Sequence, residues 1–99
     1  MAPRIAPEAE AELDGIWYYI AKESGSIEIA DRVIDSVTDR FFLLARFPQM
    51  GRRRDEDLRP GLRSFVVGKY VIIYRLKGEE VLVLHVIRGS RDLRALFGH

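Results

Sequence analysis

The spacing of apolar residues changes once along this chain, near Gly51, and that change limits the folds open to it. Through Leu44 the apolar positions recur at helical spacing, whereas after Gly51 they fall in short, dense runs of β-branched and aromatic residues. Helical patterns followed by strand patterns, without alternation between them, argue for an α+β domain with an antiparallel sheet. The 99 residues suffice for one compact domain and not for two, so a single domain is expected over 1–99.

The helical part reads as a hairpin. Pro7 suits the first position of a helix, because its missing N–H would have no partner there. Glu8 and Glu10 follow in the turn where the helix dipole favours negative charge. Leu13, Ile16, Trp17 and Ile20 make one apolar stripe, Lys22 lies near the far end, and Gly25 is a C-terminal stop. Ser26 can cap a second helix, whose stripe runs through Ile29, Val33, Val37, Phe41 and Leu44, widened by Ala30 and Ile34. Pro48 ends it. The tight SGS connection makes the two helices antiparallel.

Three strands follow: LRSFVV, YVIIYRLK and EVLVLHVI, with Gly68 between the first two and a turn near Gly78 between the last two. A short N-terminal edge strand is expected within 3–6, where proline is tolerated. Both parities of YVIIY and VLVLHV are apolar, so both faces of the sheet need cover. The helices can supply one. The chain's own tail or a partner must supply the other. After Gly89 the stretch RDLRALF reads as a short helical or irregular tail.

The net charge of +1 conceals a division. Residues 1–45 hold four basic and nine acidic side chains, whereas residues 46–99 hold twelve basic and six acidic. Different faces are therefore suited to different partners. With no cysteine there is neither a disulfide framework nor a thiolate zinc site, which suits a reducing cytoplasm. The N-terminus lacks a signal-peptide core and no apolar run reaches membrane-spanning length, so a cytoplasmic, membrane-free protein is expected.

Few residues point to catalysis. His85 and His99 lie far from any ligand cluster, and the glycines are isolated, so neither a metal site nor a phosphate loop is expected, and no cofactor. Ser64 or Ser90 with His85 has no spacing that singles out a triad. His85 lies in an apolar strand, where a packed, hydrogen-bonded histidine is the ordinary case. Arg52, Arg53 and Arg54 adjoin Asp55, Glu56 and Asp57, which they can neutralise. Arg59, Arg63, Arg88, Arg91 and Arg94 flank or follow strands with fewer acids nearby, and gathered together they would make an anion-binding surface. Tyr18 and Tyr19 lie off the first helix's stripe, free to meet another chain.

The order of these pieces resembles the RelE/ParE superfamily of type II toxin–antitoxin toxins, and most of all its ParE branch, over about residues 3–93. The matching pieces are A-x-x-x-L-x-x-I-W from Ala9, F-P-x-M-G-R from Phe47, R-P-G-L-R from Arg59, Y-x-I-x-Y-R from Tyr70 and R-D at Arg91. The resemblance implies a toxin neutralised by a cognate antitoxin, ParD-like with a ribbon-helix-helix start, in a higher-order complex. It implies DNA gyrase as the target, with no catalytic residue of the toxin's own. RelE-like members instead cut messenger RNA on the ribosome, and a non-toxic interaction module of this fold is a third reading.

Arg63 matches the family's arginine before the sheet. Arg88 stands where many relatives have a histidine, as in H-G-x-R-D; here the ending is IRGSRD, with His85 three positions earlier. The tail also lacks the tyrosine of several RNA-cutting relatives. Arg59, Arg63, Arg88, Arg91 and Arg94 are thus the candidates for toxicity, and neutral substitution of Arg63 or Arg88 is expected to reduce it without unfolding the protein. Tyr18, Tyr19, Tyr70 and Tyr74 are the candidates for antitoxin contact, beside an apolar groove between hairpin and sheet.

Overall fold

A computed structural model describes residues 2–89. Strand β1 (Arg4–Ile5) leads into helix α1 (Pro7–Ser24), and helix α2 (Ile27–Arg46) returns beside it. Strands β2 (Arg52–Arg53), β3 (Leu62–Val67), β4 (Tyr70–Lys77) and β5 (Glu80–Arg88) follow. Together they form one five-stranded sheet in the order β1-β5-β4-β3-β2. β1 runs parallel to β5 and every other pairing is antiparallel. This is the expected helix hairpin on a mostly antiparallel sheet. The tail from residue 90, including Ser90, Arg91 and Arg94, lies outside the described residues.

The local chemistry explains the turns. Gly25 takes φ 67° at the end of α1, the left-handed cap that suits glycine. Ser26 accepts a hydrogen bond from the Ile29 N–H at 3.1 Å and starts α2. Beyond the three strands read after the helices, the GRRR segment contains a further strand, β2, because Arg52 and Arg53 pair with Ser64 and Arg63 at the sheet's edge.

Two of the apolar positions are corrected. Trp17, on the apolar stripe, is not in the core: it lies half-buried at the side of the hairpin, where its Nε1–H donates to Asp31 Oδ1 at 2.7 Å. Indole carries a donor that an apolar core would leave unpaired. Ile29, also on the stripe, is exposed at the start of α2, and Ala30 is buried in its stead.

The sheet buries both faces. Tyr70, Ile72 and Tyr74 of β4 join Leu13, Val37, Phe41 and Leu44 of the helices in the larger core. Val71 and Ile73, the alternate residues, pack with Leu62 and Ile87 on the opposite face. Leu58, from the turn before β3, covers that face and is itself almost wholly buried. A bulge in β5 at Leu84 brings Val83 and Val86 to the same core.

Candidate protein-binding site

The partner strands at the sheet edges are short, and this creates the site. β1 pairs with Leu82 and Val83, so among the described residues no strand neighbours β5 on that side from Leu84 onward. Glu12 of α1 takes part of that role. Its carboxylate accepts a hydrogen bond from the Val86 N–H at 3.1 Å and lies 3.1 Å from His85 Nδ1. Above this edge lies a hollow of about 390 Å³, walled by Ile16, Tyr19, Tyr70 and Val86. A second hollow of about 410 Å³ adjoins it, walled by Val33 and Val37 of α2 and by Val67. Tyr19, Tyr70 and Arg88 line both, so the two form one groove. Its apolar walls carry Lys69 at one end, Glu12 at the other and Arg88 where the two hollows meet.

The tyrosines divide. Tyr19 is half exposed in the groove wall and Tyr18 is exposed beside it. Tyr70 is mostly buried but shows an edge to the groove. Tyr74 is a correction: it is fully buried and closed to any docking chain. Its hydroxyl accepts from the Gly51 N–H and donates to the Pro48 carbonyl, both at 2.8 Å. Burial pushes this phenol's pKa up, while the Gly51 bond and the Arg63 charge pull the other way.

The arginines divide too, and the structure does not gather them into one anion site. Arg63 pairs with Tyr74, midway along β4, and Arg88 with Tyr70 at its start, so they stand on opposite sides of that strand. Four residues of strand separate those positions by ~13 Å. Arg63 is half-buried rather than exposed. Its guanidinium donates to the carbonyls of Gly51, at 2.8 Å, and Gln49, at 3.3 Å, and to Gln49 Oε1 at 2.9 Å. Arg88 is exposed at the groove. Arg59 is exposed in the turn before β3, where its N–H donates to the Arg54 carbonyl at 3.2 Å.

That turn is an ion-pair knot, as the alternation of charge suggested. Arg53 meets Asp55 at 2.8 Å and Arg54 meets Asp57. Asp55 is held below the usual carboxylate range by the Gly61 N–H and then by Arg53, and Asp57 by Arg54. Arg54 also donates to Ser64 Oγ at 3.0 Å. Ser64 and His85 are separated by β4, each opposite Ile73, so they form no nucleophile–base pair. Among the described residues no three acids or histidines gather to hold a metal ion.

Sequence reasoning missed Glu12, Gln49 and Gly51. Glu12 looks like one of several helix-surface acids, and its role depends on a strand 74 residues away. The F-P-x-M-G-R motif marks the α2 exit but not its partners on the sheet.

Comparison with known proteins gives a consistent result. Residues 4–93 match the family described as "ParE toxin of type II toxin-antitoxin system, parDE". The chain is 36% identical over 87 residues to Toxin ParE3 of Caulobacter vibrioides, covering 88% of this chain and 85% of the relative. It is 34% identical over 97 residues to Toxin ParE1 of the same organism, covering 96% of each. A solved structure titled "Chromosomal ParDE TA system from P. aeruginosa" superposes with a TM-score of 0.76 at 23% identity, over 89% of this chain and 95% of that one.

Proposed function

The chain belongs to the ParE toxin family of type II toxin–antitoxin systems, and from that premise we propose that it is a toxin that inhibits DNA gyrase and is held inactive by a ParD-like antitoxin. The observation that carries the antitoxin part is the groove at Tyr19, Tyr70 and Arg88. An apolar channel beside an incomplete sheet edge suits a segment that orders on binding, laying apolar side chains between hairpin and sheet. Lys69 and Arg88 favour carboxylates on that segment. Tyr18 and Tyr19 offer aromatic anchors at the rim.

The separation of Arg63, Arg88 and His85 supports gyrase over messenger RNA. Cleavage through a ribose 2′-OH requires a base, an acid and cations around one phosphate. Here Arg63 is spent on Gln49 and Gly51, and His85 faces Glu12. A poison of a protein target requires a complementary surface and no proton-transfer group. The test is a supercoiling assay with purified gyrase, run beside a primer-extension assay on ribosome-bound messenger. Inhibited supercoiling with intact messenger is expected. Cleaved messenger with unaffected gyrase would replace this reading with the ribonuclease one.

A further inference from the structure

Between Asp39 and Asp55 the chain has no carboxylate and carries five arginines. Within this stretch Phe42, Phe47 and Met50 leave about half of their surface in water, at 58, 50 and 45% exposure. Phe42 and Arg46 are four residues apart on α2 and share a helix face. The Arg46 guanidinium lies over the Phe47 ring, 5.5 Å from its centre. The segment after the helix is nonetheless tightly held. Tyr74 grips Pro48 and Gly51 from beneath, and Arg63 grips Gln49 and Gly51 from the side. Five hydrogen bonds from two sheet residues fix the turn that carries Phe47 and Met50 in solvent. A preorganised surface of aromatic, methionine and arginine side chains has the composition of a protein-interface centre.

We propose that Phe42, Arg46, Phe47 and Met50 form the surface with which this toxin engages its target protein, and that the target presents an apolar centre rimmed by carboxylates. This rests on the toxin reading above. The charge argument selects the partner. Among the described residues Arg46 forms no ion pair with a carboxylate and lies against the Phe47 ring, whereas the charges of Arg52 and Arg63 act on Asp57 and Asp55. A nucleic acid strand fits less well, because Asp55, Glu56 and Asp57 follow at once and would repel a run of phosphates. The surface is also distinct from the groove. α2 reaches the groove through Val33, Ser36 and Val37. Phe42 to Phe47 lie ~8–15 Å further along the helix axis. The toxin can therefore meet antitoxin at one end of α2 and target at the other.

The experiment compares the full chain with a Phe47→Ser/Met50→Ser variant and with Arg46→Glu. Each is induced in cells without antitoxin, and each purified protein is titrated with the cognate antitoxin and melted thermally. Growth arrest is expected to weaken about 10-fold or more in both variants, as for loss of interface anchors. Antitoxin affinity should stay within about 3-fold of wild type, as for residues outside an interface. Arg46→Glu alters only an exposed side chain, so it keeps the test valid should the serine variant melt early. Variants that arrest growth as wild type does would overturn this inference alone. So would a parallel loss of antitoxin affinity, which would place the patch in the antitoxin's interface. Binding of a single-stranded oligonucleotide by wild type but not by Arg46→Glu would assign the patch to nucleic acid. A wild-type chain that arrests nothing would remove the toxin reading itself, and the target surface with it.

Discussion

The Tyr74 hydroxyl and the Gly51 backbone N–H meet at 2.8 Å, joining the middle of the sheet to the exit of α2 across 23 residues of chain. The same hydroxyl donates to the Pro48 carbonyl. A Cβ at Gly51 would overlap that hydroxyl and stand 2.6 and 2.8 Å from two ring carbons. Glycine is needed here for close approach, and the tyrosine is needed because the turn buries backbone groups with no other partner.

Tyr74→Phe keeps the ring and removes the hydroxyl, leaving the Gly51 N–H and the Pro48 carbonyl without it. Loss of about 1–3 kcal/mol is expected. Gly51→Ala should cost at least as much, since neither the buried ring nor the backbone has room to yield. Urea unfolding of both variants checks this. A Tyr74→Phe midpoint equal to wild type would show that the turn gains nothing from the bond.

Arg63 has the same role from the other side. Arg63→Ala removes three charge-assisted donors from Gln49 and Gly51, and a loss of about 1–3 kcal/mol is expected. The resemblance suggested a loss of toxicity without unfolding. The structure leads to a different expectation: toxicity and melting temperature fall together. Arg88→Ala, at an exposed groove position, should leave stability within about 0.5 kcal/mol. Thermal melts beside growth assays separate the two arginines.

Local physics explains what was legible in the sequence. The hairpin could be read because Pro7, Gly25 and Ser26 act on their own neighbours, and the strands because β-branched and aromatic residues crowd into short runs. Trp17 misled because apolar spacing does not register an indole N–H seeking Asp31. Tyr74 looked like a surface aromatic because its partners, Pro48 and Gly51, come from a turn far back in the chain. The groove was legible as an excess of apolar strand positions, but its walls were not. They depend on which part of β5 the two residues of β1 leave uncovered.

The pKa shifts give stability a direction of change with pH. Asp55 and Asp57 are depressed in the folded chain, so their contribution is present above the ordinary carboxylate range and is lost as pH falls through their folded values. Tyr74 is raised, so its contribution is complete below the ordinary phenol value near 10 and is lost as pH rises through the folded value. Melting temperature should therefore fall at both extremes. Asp55→Asn/Asp57→Asn should flatten the acid side and Tyr74→Phe the alkaline side. An acid limb unchanged in the double variant would assign it to other carboxylates.

His85 decides between surface and catalyst. Its Nδ1 lies 3.1 Å from Glu12, whose carboxylate also receives the Val86 N–H at the edge of β5 beyond β1. The arrangement is structural: a helix side chain pairs an edge that a strand would otherwise cover. Glutamine can still donate to Glu12, so His85→Gln should cost less than about 1.5 kcal/mol and leave growth arrest intact. Glu12→Ala leaves the Val86 N–H bare and should be the more damaging change, by about 1–3 kcal/mol, with self-association rising as the edge opens. If His85 instead moved a proton in RNA cleavage, its replacement would slow the reaction ~100- to 10,000-fold in a folded protein. A folded His85→Gln variant that no longer arrests growth, while Glu12→Ala still does, would establish the catalytic role.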